Sequence, residues 1–512
     1  MSKDNAAPPV AAADSERIGP DLWWLTGILV LGGFATLLDS TIVNVAVGTL
    51  AKEFDAELSA VQWSVTGYLL ALCMTIPLSG WAIERFGAKQ TWLFSQVVFL
   101  AGSLLAGLSW SVESLILFRV LQGIGGGLVM PVGQSLLAQA AGTKRLGRLM
   151  GIVSIPAMFA PVVGPTLGGV VIDDIGWRWI FYLNLPLGLN LPLGLVTIAL
   201  SLMKISNVVV PGRSRLDVLG LVLLAPGLGA FLYGLSEVGE EGGFGNGRTL
   251  VGLIAGVLLI AAFSVHALRT RFAPLMDLRL LRERNFTSGT AATFFLSMAM
   301  FGAMIPLPLY FQLVRGADVM ESGLLLMPQS IGYFLAIVVV GRLTAIYGAR
   351  SVSIGGVVLA AVATLPFGLI TADSSKVLLC SSMVVRGFGF GAAMLPCMTT
   401  AYSNLEAATV PHATSAFNIF QRIGASVGTA ALAVVLQQRA TTELHGRAAG
   451  LTQVLPDSDI AHSLAGAFST TFWWALGLTV LALLPCTMLP SRQPREASSP
   501  TAEPAQLGEA AV

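Results

Sequence analysis

Apolar runs long enough to cross a bilayer recur along almost the whole chain, separated by short polar intervals. A spanning helix needs roughly 20 apolar residues. The pattern predicts fourteen of them, at about 22–47, 60–83, 91–110, 113–140, 147–171, 177–203, 216–236, 249–268, 286–312, 322–346, 351–372, 376–402, 412–437 and 467–489. Such a chain is an all-α integral membrane protein with no length left for a soluble domain. Only the polar segment 1–21 and the tail 491–512, rich in Pro, Ala, Ser and Glu, stand outside. The composition of the tail predicts disorder.

A mean hydropathy of +0.77, with 54% hydrophobic and 11% charged residues, excludes a water-soluble globule of this length. The net charge of +1 is uninformative, but its distribution is not. Bases gather in alternate loops, at Arg85, Lys89, Lys144, Arg145, Arg148, Lys204, Arg213, Arg215, Arg269 to Arg284, Arg342, Arg350, Arg492 and Arg495. The opposite loops carry Glu53, Asp55, Glu57, Asp173, Asp174, Glu240 and Glu241. With an even number of spans, the positive-inside rule puts both termini in the cytoplasm. The first span follows a polar lead with no cleavage signal and is expected to be retained. Six lysines against 23 arginines point to a GC-rich bacterial genome, hence a bacterial cytoplasmic membrane. The four cysteines (Cys73, Cys380, Cys397, Cys486) lie singly in apolar spans, with neither disulfide nor metal spacing. No cofactor, nucleic acid or obligate protein partner is expected; the lipid bilayer is the one certain surrounding.

An internal echo divides the chain. Gly80–Lys89, after the second span, is answered by Gly341–Arg350 after the tenth, with glycines at the first and eighth places and a base at the tenth. Arg119–Gly127 in the fourth span is answered by Arg386–Gly391 in the twelfth. Six spans therefore repeat: 22–203 forms one six-helix bundle and 286–490 another. Residues 204–285 hold an inserted helix pair and a linker, whose basic amphipathic stretch Pro274–Arg282 is expected to lie as a helix on the inner leaflet. The hexapeptide Leu183–Gly188 repeats at once as Leu189–Gly194, and has no physical account.

Ionisable residues at membrane depth cost about 2.5–3.5 kcal/mol each on insertion scales, so each needs a reason. Asp39 in the first span and Arg119 in the fourth fall at similar depth. One reading is a structural ion pair. The other is a proton site, because burial favours a neutral carboxyl while a neighbouring guanidinium favours a charged one. Arg386 and Arg422 have no evident acidic partner; they either bond backbone carbonyls or face a cavity and an anionic substrate group. Polar and aromatic residues within spans nominate Gln62, Trp63, Tyr68, Gln134, Asn184, Tyr310, Gln312, Gln329, Asn418 and Gln421 as further cavity contacts. Apart from Asp39 the interior is poor in acids, which predicts neutral, zwitterionic or singly charged substrates rather than divalent cations.

These motifs resemble those of the fourteen-span drug:proton antiporter branch of the major facilitator superfamily, from about residue 22 to 490. Leu38–Ala46 is similar to the branch signature of the first span. Gly80–Lys89 is similar to the superfamily hallmark, with Glu84 where the family usually has Asp. Arg119–Gly127 resembles the basic motif of the fourth span, and Gly164–Gly169, with Pro156 and Pro161 upstream, the antiporter motif of the fifth. The resemblance implies export of amphiphilic antibiotics, dyes or biocides by alternating access, driven by the proton gradient. It implies proton coupling at Asp39 and Arg119, a conformational latch at Gly80, Glu84, Arg85, Gly87 and Lys89, and a leak-tight fifth span at Pro156, Pro161, Gly164, Pro165, Gly168 and Gly169. A dedicated exporter of one natural product, lipid or siderophore is the alternative within transport. A membrane enzyme is the alternative outside it, because Gly424–Gly428 matches the pattern GxSxG; that pattern needs a strand-to-helix elbow and a histidine. Here it lies in an apolar span, and the four histidines fall at span ends or in loops.

Overall fold

In the computed structural model the chain is a bundle of helices; the structure describes residues 19–184, 193–205, 215–241, 246–270, 274–317, 319–403, 405–406, 409–443 and 458–491. The first half opens with α1 (Pro20–Glu53), then α2 (Leu58–Thr75) and α3 (Leu78–Phe86). The last two share the second predicted span and are bent by 56° at Pro77, which lacks the donor that would continue the helix. Next come α4 (Ala88–Gly107) and α5 (Val112–Val153). Ser111 and Ser114 cap α5 reciprocally at its start. Then α6 (Ile155–Asp174), α7 (Trp179–Tyr182) and α8 (Leu193–Lys204) complete this half.

The helices expected as an inserted pair are α9 (Val218–Glu241) and α10 (Gly247–Arg269). The second half comprises α11 (Arg284–Gly302), α12 (Pro306–Leu309), a π-turn Tyr310–Val314, α13 (Val319–Tyr347), α14 (Ala349–Gly368), α15 (Lys376–Tyr402), α16 (Val410–Glu443), α17 (Ser458–Leu481) and α18 (Leu483–Thr487). Among the described residues, 11 helices are long and apolar enough to cross a membrane, or 12 if the bent α2–α3 pair is one span. The expected fifth and sixth spans are outside that set: α6 occupies the place of the fifth, and the middle of the sixth, with most of the hexapeptide repeat, lies outside the described residues.

Two expectations need correction. The basic loop expected after the fourth span is helical, so α5 runs unbroken for 42 residues to Val153. Its Ala, Leu, Arg and Lys are good helix formers, and the break falls instead at Ser154, ahead of Pro156. The linker 274–282 is not an amphipathic helix on a membrane surface. Only Leu278–Arg282 coils, as a short 3₁₀ turn capped by Asp277. Leu275, Met276 and Leu280 are buried in the protein core with Phe263, Phe286 and Phe417.

The two halves repeat in detail. Gly87 (φ 88°, ψ 152°) starts α4 and Gly348 (φ 82°, ψ 158°) starts α14, in a region that a side chain would strain. Along α5, a side chain at Gly123 or Gly127 would strike the Tyr68 and Leu72 carbonyls of α2, and one at Gly125 would strike Phe99 of α4. Along α15, Gly387 and Gly391 abut Gln329 and Tyr333 of α13, while Gly389 abuts Ala360 of α14. Backbones meet this closely only where side chains are absent. Likewise Gly164 and Gly168 of α6 press on Thr41 and Ile42, as Gly424 and Gly428 of α16 press on Phe294 and Met298. The GxSxG pattern is therefore a helix-packing face, with no strand or elbow.

The inserted pair packs α9 onto α2 and α16. One face of α10 (Val251, Ile254, Leu258, Val265) is exposed, as a lipid-facing helix requires. Asp217 clips the insert to the linker, accepting from the Leu275 N–H at 3.3 Å and lying 2.9 Å from the His266 ring.

Candidate functional site

Asp39 and Arg119 are in contact, both side chains fully buried. The α1–α5 packing brings them together, and neighbours bond both carboxylate oxygens. Arg119 Nη1 donates to Asp39 Oδ2 and, at 2.7 Å, to Gln122 Oε1, one turn further along α5. Gln122 Nε2 donates to Asp39 Oδ1 at 2.8 Å, and Asn184 Nδ2 donates to the same oxygen at 2.9 Å. Asn184 is held in turn by Ser103 Oγ at 3.0 Å. Arg119 Nε donates to the Ser64 carbonyl at 3.2 Å, and its guanidinium lies 4.1 Å over the Tyr68 ring. The Tyr68 hydroxyl donates to the Thr36 carbonyl at 3.1 Å. A buried pair of this kind depends on such neighbours, since removing either charge strands the other; Arg119 Nη2 is itself left without a hydrogen-bond partner. A proton arriving on Asp39 would do that to Arg119.

Ser40 and Thr41, next along α1, line a cavity of about 260 Å³ between the halves. Its walls come from α1, α5 and α6 on one side and α11, α13, α15 and α16 on the other. Gln134, Asn418, Gln421 and Arg422 line it. Asn418 Nδ2 donates to Gln134 Oε1 at 2.7 Å across the halves. Arg422 is the one charged side chain among the described lining residues.

The other nominated residues lie elsewhere. Tyr68 and Asn184 belong to the Asp39 cluster. Gln62 and Trp63 are exposed, and Trp63 stacks on Tyr233 of the insert at 5.6 Å. The Tyr310 hydroxyl donates to the Thr371 carbonyl at 2.7 Å, and Gln312 donates to Ser322 at 3.4 Å. Arg386 is buried, donates to Gln329 Oε1 at 2.9 Å and leaves Nε and Nη2 without a partner. The repeat explains why it meets no acid. Gly123 and Gly387 are equivalent, so Arg386 stands where Gln122 does, and α11, the counterpart of α1, carries no acid along Arg284–Gly302.

Sequence reasoning missed the cavity's methionines: Met130, Met300, Met304, Met394 and Met398. Two pairs are four residues apart, one helical turn, which was the available signal. It also missed Gln122 and Ser103.

At the turn between α3 and α4, Glu84 Oε1 lies 2.6 Å from Nε2 of His412, in the first turn of α16. Gly80 leaves room for that ring, since a Cβ there would sit 2.9 Å from His412 Nδ1. One turn on, Ser415 Oγ donates to the Ile76 carbonyl at 3.0 Å. Lys89 Nζ donates to the Leu202 carbonyl at 2.9 Å, and Arg85 is exposed. In the antiporter motif Gly164 and Gly168 touch α1, while Thr41 Oγ1 donates to the Ala160 carbonyl at 3.0 Å. Gly169 faces open space. Pro156, Pro161 and Pro165 fall within α6; their side chains lie outside what the structure describes.

The profile of the Major Facilitator Superfamily matches residues 29–429. The chain is 33% identical over 514 residues to the "Multidrug resistance protein B homolog" of Mycobacterium tuberculosis, a match that spans 95% of this chain and 93% of that protein. It is 30% identical over 455 residues to the lincomycin resistance protein LmrB of Listeria monocytogenes, spanning 89% of this chain and 94% of that one. Among solved structures the proton:xylose symporter XylE has a similar fold, with a TM-score of 0.60 over 90% of this chain and 94% of that chain, at 14% identity.

Proposed function

The chain belongs to the major facilitator superfamily, and we propose that within it this protein exports amphiphilic drugs or antibiotics from the cytoplasm in exchange for protons, by alternating access. The observation that carries this reading is the buried Asp39–Arg119 pair beside a cavity shared by both halves. Asp39 takes the entering proton. The proton weakens the pair and frees α1 and α5 to move relative to each other, and Ser40 and Thr41 carry that movement to the cavity wall. Each elementary charge moved down a potential of about 100 mV supplies about 2.3 kcal/mol. No further energy source is required.

Two further features support export of varied compounds. Flexible, polarizable methionine walls adapt to different apolar shapes, which favours a broad spectrum over a single natural product. The similar proteins are named for multidrug and lincomycin resistance. We read the topology as fourteen spans with both termini inside a bacterial cytoplasmic membrane. The Glu84–His412 and Asn418–Gln134 contacts then seal the cytoplasmic end, with Gly80, Glu84, Arg85, Gly87 and Lys89 forming the latch.

The test is efflux of a fluorescent amphiphile from proteoliposomes under an imposed pH gradient. Gradient-dependent efflux in the wild type that disappears in Asp39→Asn is expected. Efflux that persists unchanged in the variant would move the coupling site elsewhere, and efflux indifferent to the gradient would overturn proton exchange.

A further inference from the structure

The cavity carries a charge of one sign. Arg422 is half-buried on its wall, and no other described lining residue is charged. No acid pairs with it among the described residues. Asp39 is engaged by Arg119, Gln122 and Asn184 rather than by Arg422. The second half supplies no replacement, because α11, the counterpart of α1, carries no acid.

A guanidinium in a chamber of low polarity repels a cationic guest and stabilises an anionic one. Its planar donors suit a carboxylate or sulfonate oxygen pair. Gln421 also faces the cavity and offers a neutral donor beside it. Apolar surface for the remainder of the guest comes from Met300, Met304, Met394 and Met398.

We infer that this site selects amphiphiles bearing one acidic group, whose anion pairs with Arg422 while the apolar body lies on the methionine wall. The inference rests on the export reading for its physiological meaning but not for its test. Arg422 is then the residue that sets specificity by charge, a role separate from proton coupling at Asp39.

The experiment uses one apolar body with three head groups: naphthylbutanoate, its methyl ester and naphthylbutylamine. Binding to the purified full-length protein is measured by equilibrium dialysis, and export from proteoliposomes separately. Burial of apolar surface alone ranks the ester first, because it is the least hydrated. The inference reverses that order: the carboxylate binds about tenfold tighter than the ester, and the amine most weakly. Each affinity is taken relative to the ester in the same protein, so a general loss of folded protein cancels. Arg422→Lys keeps the preference for the carboxylate, while Arg422→Gln brings the carboxylate-to-ester ratio to one or below. A wild type that favours the ester, or a carboxylate preference that survives in Arg422→Gln, overturns the inference. Charge-selective binding without export would leave it standing and remove the transport reading; export without charge selectivity does the reverse.

Discussion

The Glu84 carboxylate and the His412 ring meet at 2.6 Å although 328 residues separate them. They tie the first half to the second beside the sharp turn at Gly87. In the repeat, Ala345 stands at the place of Glu84, so the tie is one-sided. Its strength should bias which way the cavity opens.

Replacing Glu84 with Ala removes a charge-assisted hydrogen bond of about 1.5–3 kcal/mol. The population closed at this end should fall by about tenfold or more. Spin labels on Gln90 and Arg350, exposed at equivalent first turns of α4 and α14, report the distance between the halves at that end. A longer mean distance in Glu84→Ala is expected; an unchanged distribution would deny the latch.

Asp39→Asn should abolish gradient-driven efflux and also destabilise the protein, by about 3–5 kcal/mol, because Arg119 is left buried and uncompensated. Asp39→Asn with Arg119→Gln removes both charges. Thermal unfolding in detergent should therefore find the double variant more stable than Asp39→Asn alone, with transport absent from both. A double variant no more stable than the single one would mean that the pair is not electrostatically coupled.

Asn184 and Gln122 share Asp39 Oδ1. Asn184→Leu deletes one donor to a buried carboxylate and should cost about 1–3 kcal/mol of stability while slowing gradient-driven efflux. Gln62→Leu, at an exposed site on α2, should change neither. Equal effects from the two would place Asn184 outside the coupling cluster.

Gly428 lies against the Met298 backbone, so Gly428→Val should force α16 away from α11 and sharply reduce the yield of folded protein. Ser426→Ala should leave efflux at the wild-type rate. Efflux lost in Ser426→Ala would revive a nucleophilic role for the GxSxG pattern.

What the sequence disclosed follows from where free energy is conspicuous. Asp39 and Arg119 stood out because a charge in an apolar span is expensive, and their pairing could be read from depth alone. Asn184 and Gln122 carry no such penalty, and a neutral amide reads equally as cavity lining or as internal hydrogen bonding. Hydropathy marks where the chain leaves the apolar layer but not where a helix stops, which is why α5 continues through its basic stretch. The leucines of 274–282 suit a lipid surface or a protein groove equally; only tertiary contact selects the groove. His412 had no signal at all, since its partner comes from the other half. The methionines were hidden among ordinary apolar residues, although the spacing of Met300 with Met304 and Met394 with Met398 was visible.

The lack of an acid in α11, the counterpart of α1, has an evolutionary consequence. A duplicated bundle need not perform one task twice. The fully buried ion pair lies in the first copy. The second copy's α11, α13, α15 and α16 supply the aromatic, basic and most of the thioether groups that a guest meets. Selection for resistance to a new compound can therefore remodel the cavity face of the second copy while the Asp39–Arg119 pair in the first remains intact. Adaptive substitutions in this lineage should accumulate on one side of the molecule.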